Sequence, residues 1–136
     1  MTNDVLLNKA AIIERCVSRA REEYNKGKQT FSADLTRQDA TILNIQRGCE
    51  AALDLAQILV KKRNLGLAQS ARDNFKLLEQ AGFIDAKLSS RLQSMVGFRN
   101  IAVHQYQSLQ LPIIVRIIES ELDQLLQFSR QAIQDS

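Results

Sequence analysis

The sequence predicts an all-α fold, an antiparallel up-and-down bundle of four longer helices with one short helix inserted, and three observations carry that expectation. Residues that lose little on entering a helix, such as Leu, Ala, Gln, Arg, Glu and Lys, dominate the chain, while Pro occurs once and Gly five times. Apolar residues recur at alternating spacings of four and three over long stretches, the mark of a helix with one buried face. The breaks between those stretches are short, as antiparallel neighbours require. At 136 residues the chain fits one domain, 1–136, large enough to bury a core without disulfides or metals.

The first helix is expected from about Asp4, as N-cap, to Lys26, with Gly27 as its stop. Its stripe is Leu6, Ala10, Ile13, Val17, Ala20 and Tyr24, with Cys16 beside it. A polar connection through Phe31-Ser32-Ala33-Asp34 leads to Thr36, which with Asp39 resembles a capping box carrying Asp in place of Glu. The second helix should then run to about Lys62 on the stripe Ile42, Ile45, Cys49, Ala52, Ala56 and Leu59. Lys61, Lys62 and Arg63 fall at its C-terminus, where the helix dipole favours cations. Leu65-Gly66-Leu67 begins a turn, Ser70 with Asp73 opens a short helix ending at Gly82, and Asp85 can cap the next one. That helix turns Leu88, Leu92 and Met95 inward and delivers Arg99 and His104 near its end. Pro112 opens a final helix through Ile114, Ile118, Leu122 and Leu125, at the first-turn position that needs no backbone N–H.

Composition excludes several functions. A net charge of +3 permits contact with RNA without demanding it, being far below the charge density of a dedicated nucleic-acid-binding tail. No stretch approaches the roughly 20 apolar residues of a membrane span, and Met1-Thr2-Asn3-Asp4 lacks the pattern of a signal peptide, so a cytoplasmic protein is expected. Cys16 and Cys49 fall on or beside apolar stripes and read as reduced, buried side chains, and with a single histidine they cannot fill the usual four-ligand zinc site without carboxylates. No metal and no cofactor are expected, and no HExxH, Walker A or GxGxxG pattern occurs.

The chemistry concentrates in Arg99-Asn100-Ile101-Ala102-Val103-His104-Gln105-Tyr106, which holds the only histidine of the chain. Histidine alone titrates unperturbed near neutral pH, and arginine offers a permanent forked cation that fits phosphate. On a regular helix Asn100 shares a face with His104 and could fix its tautomer, whereas Arg99 and His104 diverge by about 140°. A helix end around Val103 to Gln105, a long arginine side chain or a second subunit would bring them together. Metal-free RNA cleavage needs a proton taken from the 2′-hydroxyl, a charged phosphorane stabilised and a proton returned to the 5′-oxygen. His104 can move protons and Arg99 can hold charge. A separate acid and base would require two histidines, which two-fold symmetry in a homodimer supplies. Among the weaker candidates, Asp39, Asn44 and Arg47 lie on the polar side of the second helix, and Arg47 with Glu50 reads as an intrahelical pair.

Arg-Asn-x3-His-x-Tyr on the penultimate helix of a small bundle resembles the HEPN ribonucleases, and the added tyrosine resembles their HepT branch, toxin partners of the MntA nucleotidyltransferases. Thr36 to Ala40, Asn44 to Ala51 and Met95 to Tyr106 all resemble HepT segments in the same order. The resemblance implies a HEPN-like fold and a metal-independent endoribonuclease toxin, active on RNA as a homodimer with a composite cleft. It implies Arg99 and His104 as the catalytic pair, Asn100 as their polar support, and Tyr106 as the acceptor of AMP from an MntA-like nucleotidyltransferase antitoxin. A bulky anionic AMP beside the pair would occupy the phosphate site and repel RNA. The alternative is a non-catalytic helical module that binds nucleotide or presents substrate to a partner nucleotidyltransferase, although such a module has no need of a titrating histidine.

Overall fold

The computed structural model describes residues 2–104 and 110–134, with the side chains of 4–102 and 110–134. Its helices are α1 (Thr2–Asn25), α2 (Leu35–Lys62), α3 (Ala71–Gln80), α4 (Ala86–His104), α5 (Leu111–Arg116) and α6 (Leu122–Gln134). A 3-10 turn, Phe31–Ala33, precedes α2, and a π-helical turn, Ile117–Glu121, joins α5 to α6 without a break. Helices α1, α2, α4 and the α5–α6 rod are the four long members of the bundle, α3 is the short one, and no strand occurs among the described residues.

The apolar stripes form the core. Leu6, Ala10, Ile13, Val17, Ala20 and Tyr24 of α1 are buried, as are Ile42, Ile45, Cys49, Ala52, Ala56 and Leu59 of α2. The later helices add Leu88, Leu92 and Met95, then Ile114, Ile118, Leu122 and Leu125. Phe75 and Phe128 meet edge to face with centroids 5.6 Å apart, tying α3 to α6 in the arrangement that aromatic quadrupoles favour. Both cysteines are buried and free.

Several boundaries differ from the sequence expectation. Helix α1 begins before Asp4, which therefore lies in its first turn and supplies charge there rather than acting as the N-cap. Asp34 caps α2, accepting from the Arg37 N–H at 3.1 Å, so Thr36 and Asp39 lie inside the helix and the proposed capping box does not form. The connection before it is not wholly polar. Phe31 is buried against Tyr24, with ring centroids 5.1 Å apart, and the Gln38 amide donates to the Phe31 carbonyl at 2.7 Å. These contacts anchor the 3-10 turn and start the helix at Leu35.

Helix α2 stops where Asn64 turns to φ 55°, with the Leu65 N–H donating to the Val60 carbonyl; Gly82 at φ 79° and the Phe83 N–H on the Leu78 carbonyl stop α3 the same way. The expected caps Ser70 and Asp85 are both made, to the Asp73 and Leu88 N–H groups. The π turn interrupts the α-helical winding of the final helix, which the sequence pattern predicts as unbroken from Pro112. It buries the adjacent Ile117 and Ile118 and sets Glu119 and Glu121 toward opposite neighbours. Glu119 accepts from the Tyr24 hydroxyl of α1 at 2.8 Å, and Glu121 accepts from Arg91 of α4 at 2.9 and 3.1 Å.

Candidate active site

Helix α4 is the element that carries the Arg–His sequence, and its register explains an unusual feature. Its buried stripe runs Leu88, Leu92, Met95 and Ala102, spaced so that one further inward position falls at residue 99. Arginine occupies it. Arg99 is half-buried, and its Nε is buried with no hydrogen-bond partner among the described residues. A polar donor held out of water without an acceptor costs free energy, so this site departs from the rule that builds the rest of the helix. The interrupted stripe was readable in the sequence as the spacing 88, 92, 95, 99, 102, a signal beyond the Arg-x4-His spacing itself.

Across the interface stands Cys49 of α2. Burial pushes its thiol up to about 12, and the Arg99 guanidinium acts in the opposite direction. The thiol is therefore neutral at physiological pH and gives Arg99 no counter-charge. Cys16 is also raised by burial, against the charges of Arg15 and Arg47. Neither cysteine has the depressed value of a reactive thiolate.

Asn100 is exposed, one position from Arg99 on the solvent side of α4. His104 is the last residue of α4, and the helix is continuous through both positions, so the backbone sets Arg99 and His104 about 140° apart. The side chain of His104 and the whole of Tyr106 lie outside the described residues. Of the weaker candidates, Asn44 donates to the Ala40 carbonyl at 2.8 Å within its own helix. Glu50 accepts from Gln46 at 3.1 Å, which replaces the expected Arg47–Glu50 pair. Among the described residues no cluster of His, Cys, Asp and Glu could hold a metal ion, and no helix is long and apolar enough to cross a membrane.

The all-α bundle has the architecture of a solved HEPN toxin. The chain belongs to the ribonuclease HepT-like family, which matches it over residues 13–132, and it is a ribonuclease of that family. It is 47% identical over 126 residues to the mRNA nuclease HepT of Shewanella oneidensis, covering 93% of this chain and 94% of the relative. Among solved structures it superposes with a TM-score of 0.91 on a toxin–antitoxin complex with AMP-PNP, at 43% identity over 98% of this chain and 99% of the other. The tri-AMPylated Shewanella oneidensis HEPN toxin in complex with MNT antitoxin superposes at 0.90, with 44% identity over 98% of each chain.

Proposed function

We propose that this chain is a metal-independent endoribonuclease toxin of the cytoplasm, cutting RNA at a composite Arg99/His104 site in a homodimer cleft. The observation that carries the reading is Arg99: its buried Nε–H, on the inward stripe and without an acceptor among the described residues, is an unsatisfied donor that a phosphate ligand would satisfy. His104 takes the proton of a ribose 2′-hydroxyl, and the 2′-oxygen attacks phosphorus. Arg99 holds the charge that accumulates on the phosphorane oxygens, with Asn100 supporting the imidazole. The bond to the 5′-oxygen then breaks, leaving a 2′,3′-cyclic phosphate, and an imidazolium returns a proton to the departing oxygen. One histidine in the chain and two proton roles in the reaction make the second subunit the source of the other imidazole.

Tyr106 is the regulatory acceptor in this reading, and an MntA-like nucleotidyltransferase antitoxin transfers AMP to it. Support comes from the similar structures, one a tri-AMPylated HEPN toxin with MNT antitoxin and the other a toxin–antitoxin complex with an ATP analogue. The test is cleavage of total RNA in EDTA by purified, unmodified protein beside His104→Ala, with intact mass and oligomeric mass measured for both. Cleavage by the wild-type dimer alone is expected. Equal cleavage by His104→Ala, or activity that returns only with a divalent ion, overturns the mechanism. Tyr106→Phe should cleave RNA and refuse AMP from the partner enzyme; continued labelling would move the acceptor elsewhere.

A further inference from the structure

The outer face of α4 carries a groove of about 390 Å³ that the mechanism above does not use. The start of α3 walls one side, and α5 with the π turn walls the other. Its floor includes Phe98, Ile101, Ile113 and Ile117, and Ile101 and Ile113 each remain 38% exposed. Arg72 and Arg116 also line it. Both are exposed, and neither has an ion-pair partner among the described residues, whereas the third arginine, Arg91, is neutralised by Glu121.

The position of Arg72 depends on a missing side chain. A Cβ on Gly97 would stand 2.7 Å from Arg72 Nη2, too close for any real contact, so glycine is what lets the guanidinium rest against α4. Gly97, Ile101 and His104 follow one another at i, i+4 and i+7, within about 60° of one helix face. The groove therefore leads along α4 toward the turn that carries His104, about 10 Å further on. A π turn forms part of its wall, a local geometry that concentrates at functional sites.

We propose that this groove binds one ribonucleotide of the RNA strand flanking the scissile linkage, with its base against the isoleucine and phenylalanine floor and its phosphate held by Arg72 and Arg116. An apolar floor accepts the face of any base, and unpaired forked cations match phosphate oxygens. The assignment rests on His104 as the cleavage site and adds a binding subsite to it.

The experiment titrates a labelled single-stranded RNA onto full-length His104→Ala protein across a salt series, then repeats it with Arg72→Ala, Arg116→Ala and Gly97→Ala added singly. Each arginine removed should weaken binding and flatten the dependence of log Kd on log salt by about 0.7, the loss of one single-strand phosphate contact. Gly97→Ala should weaken binding less than Arg72→Ala, with an unchanged or higher Tm, because it displaces only the tip of a flexible side chain and leaves its charge in place. Unchanged slopes, while the wild type still cleaves through His104, overturn the groove and leave the nuclease site standing. A changed oligomeric mass in Arg72→Ala assigns the groove to subunit contact and overturns the proposal as well. Equal cleavage by wild type and His104→Ala removes the site on which the groove depends.

Discussion

Replacing Arg99 by leucine should make the protein more stable and inactive. The position lies on the same inward stripe as Leu92 and Met95, and a leucine would continue it. The substitution deletes a buried Nε that has no acceptor among the described residues. Leaving such a donor unsatisfied costs about 1–3 kcal/mol, which the leucine variant recovers. The arginine stem already contributes apolar contact, so exchanging three methylenes for an isobutyl group changes burial little. A net gain of about 1–2 kcal/mol is expected. Arg99→Ala, which also loses stem packing worth about 2 kcal/mol, should come out within about 1 kcal/mol of wild type. At the fully inward Leu92, by contrast, truncation to alanine should cost about 2–5 kcal/mol.

Urea unfolding followed by circular dichroism measures the first quantity, and single-turnover RNA cleavage measures the second. Removing one donor to a developing oxyanion typically lowers the rate about 10²–10³-fold, and both Arg99 variants should lose at least that. Arg99→Lys keeps a charge but loses the planar fork and the Nε, so it should recover only part of the rate. A leucine variant less stable than wild type by more than about 1 kcal/mol would show that Nε is satisfied in the native protein. Near-normal cleavage by Arg99→Ala would remove arginine from the chemistry.

Gly48→Ala should raise Tm by about 3–4 °C: its Cβ would meet Cys16 Cβ at 3.5 Å and Leu125 Cδ1 at 3.6 Å, both ordinary contacts, and alanine favours the helix by about 1 kcal/mol. A lower Tm would mean that α1, α2 and α6 meet more tightly than these distances allow. The Cys49 thiol sets an alkaline limit. Its ordinary value is 9.0, and burial in the native state raises it to about 12, so above pH 9 the unfolded chain loses this proton first and stability falls until about pH 12. Urea midpoints measured between pH 8 and 11.5 should decline less steeply in Cys49→Ala, and equal slopes would place the linkage on other groups. Phe128→Ala empties the centre of the α3–α6 contact and should cost about 3–5 kcal/mol in the same urea assay, whereas a loss below about 1 kcal/mol would mean that the rod repacks around the gap.

The core was legible because helical period and burial are the same signal: the stripe positions named on the four long helices are buried, including the two cysteines. Starts were less legible where capping residues crowd. Asp34 and Thr36 are both good caps two residues apart, and the choice fell to tertiary contacts, the burial of Phe31 and the Gln38 bond to its carbonyl. The π turn left no local mark. It answers to the bundle, where Ile117 and Ile118 must both go inward and Glu119 and Glu121 must reach α1 and α4. Arg47 and Glu50 show the limit of spacing arguments, since i,i+3 proximity was available and Gln46 took the carboxylate instead. Of the candidate site, chosen by residue type and order, the structure describes the side chains of Arg99 and Asn100, while those of His104 and Tyr106 lie outside the described residues.

What the fold adds to the sequence is the reason Arg99 can exist where it does. Helix α3 is only 10 residues long against 28 for α2, and its start reaches α4 at the level of Gly97, where Arg72 lies across it. The last turns of α4 therefore project past the end of α3. Arg99 sits on the first of them, with its stem on the core stripe and a neutral thiol opposite. Buried deeper, an arginine without a counter-ion would cost several kcal/mol more and would have to acquire a carboxylate partner. Fully exposed, it would be hydrated and its fork free to turn. At the boundary of the bundle the stem is held by packing while Nε finds no acceptor among the described residues, the combination that the proposed role of Arg99 needs.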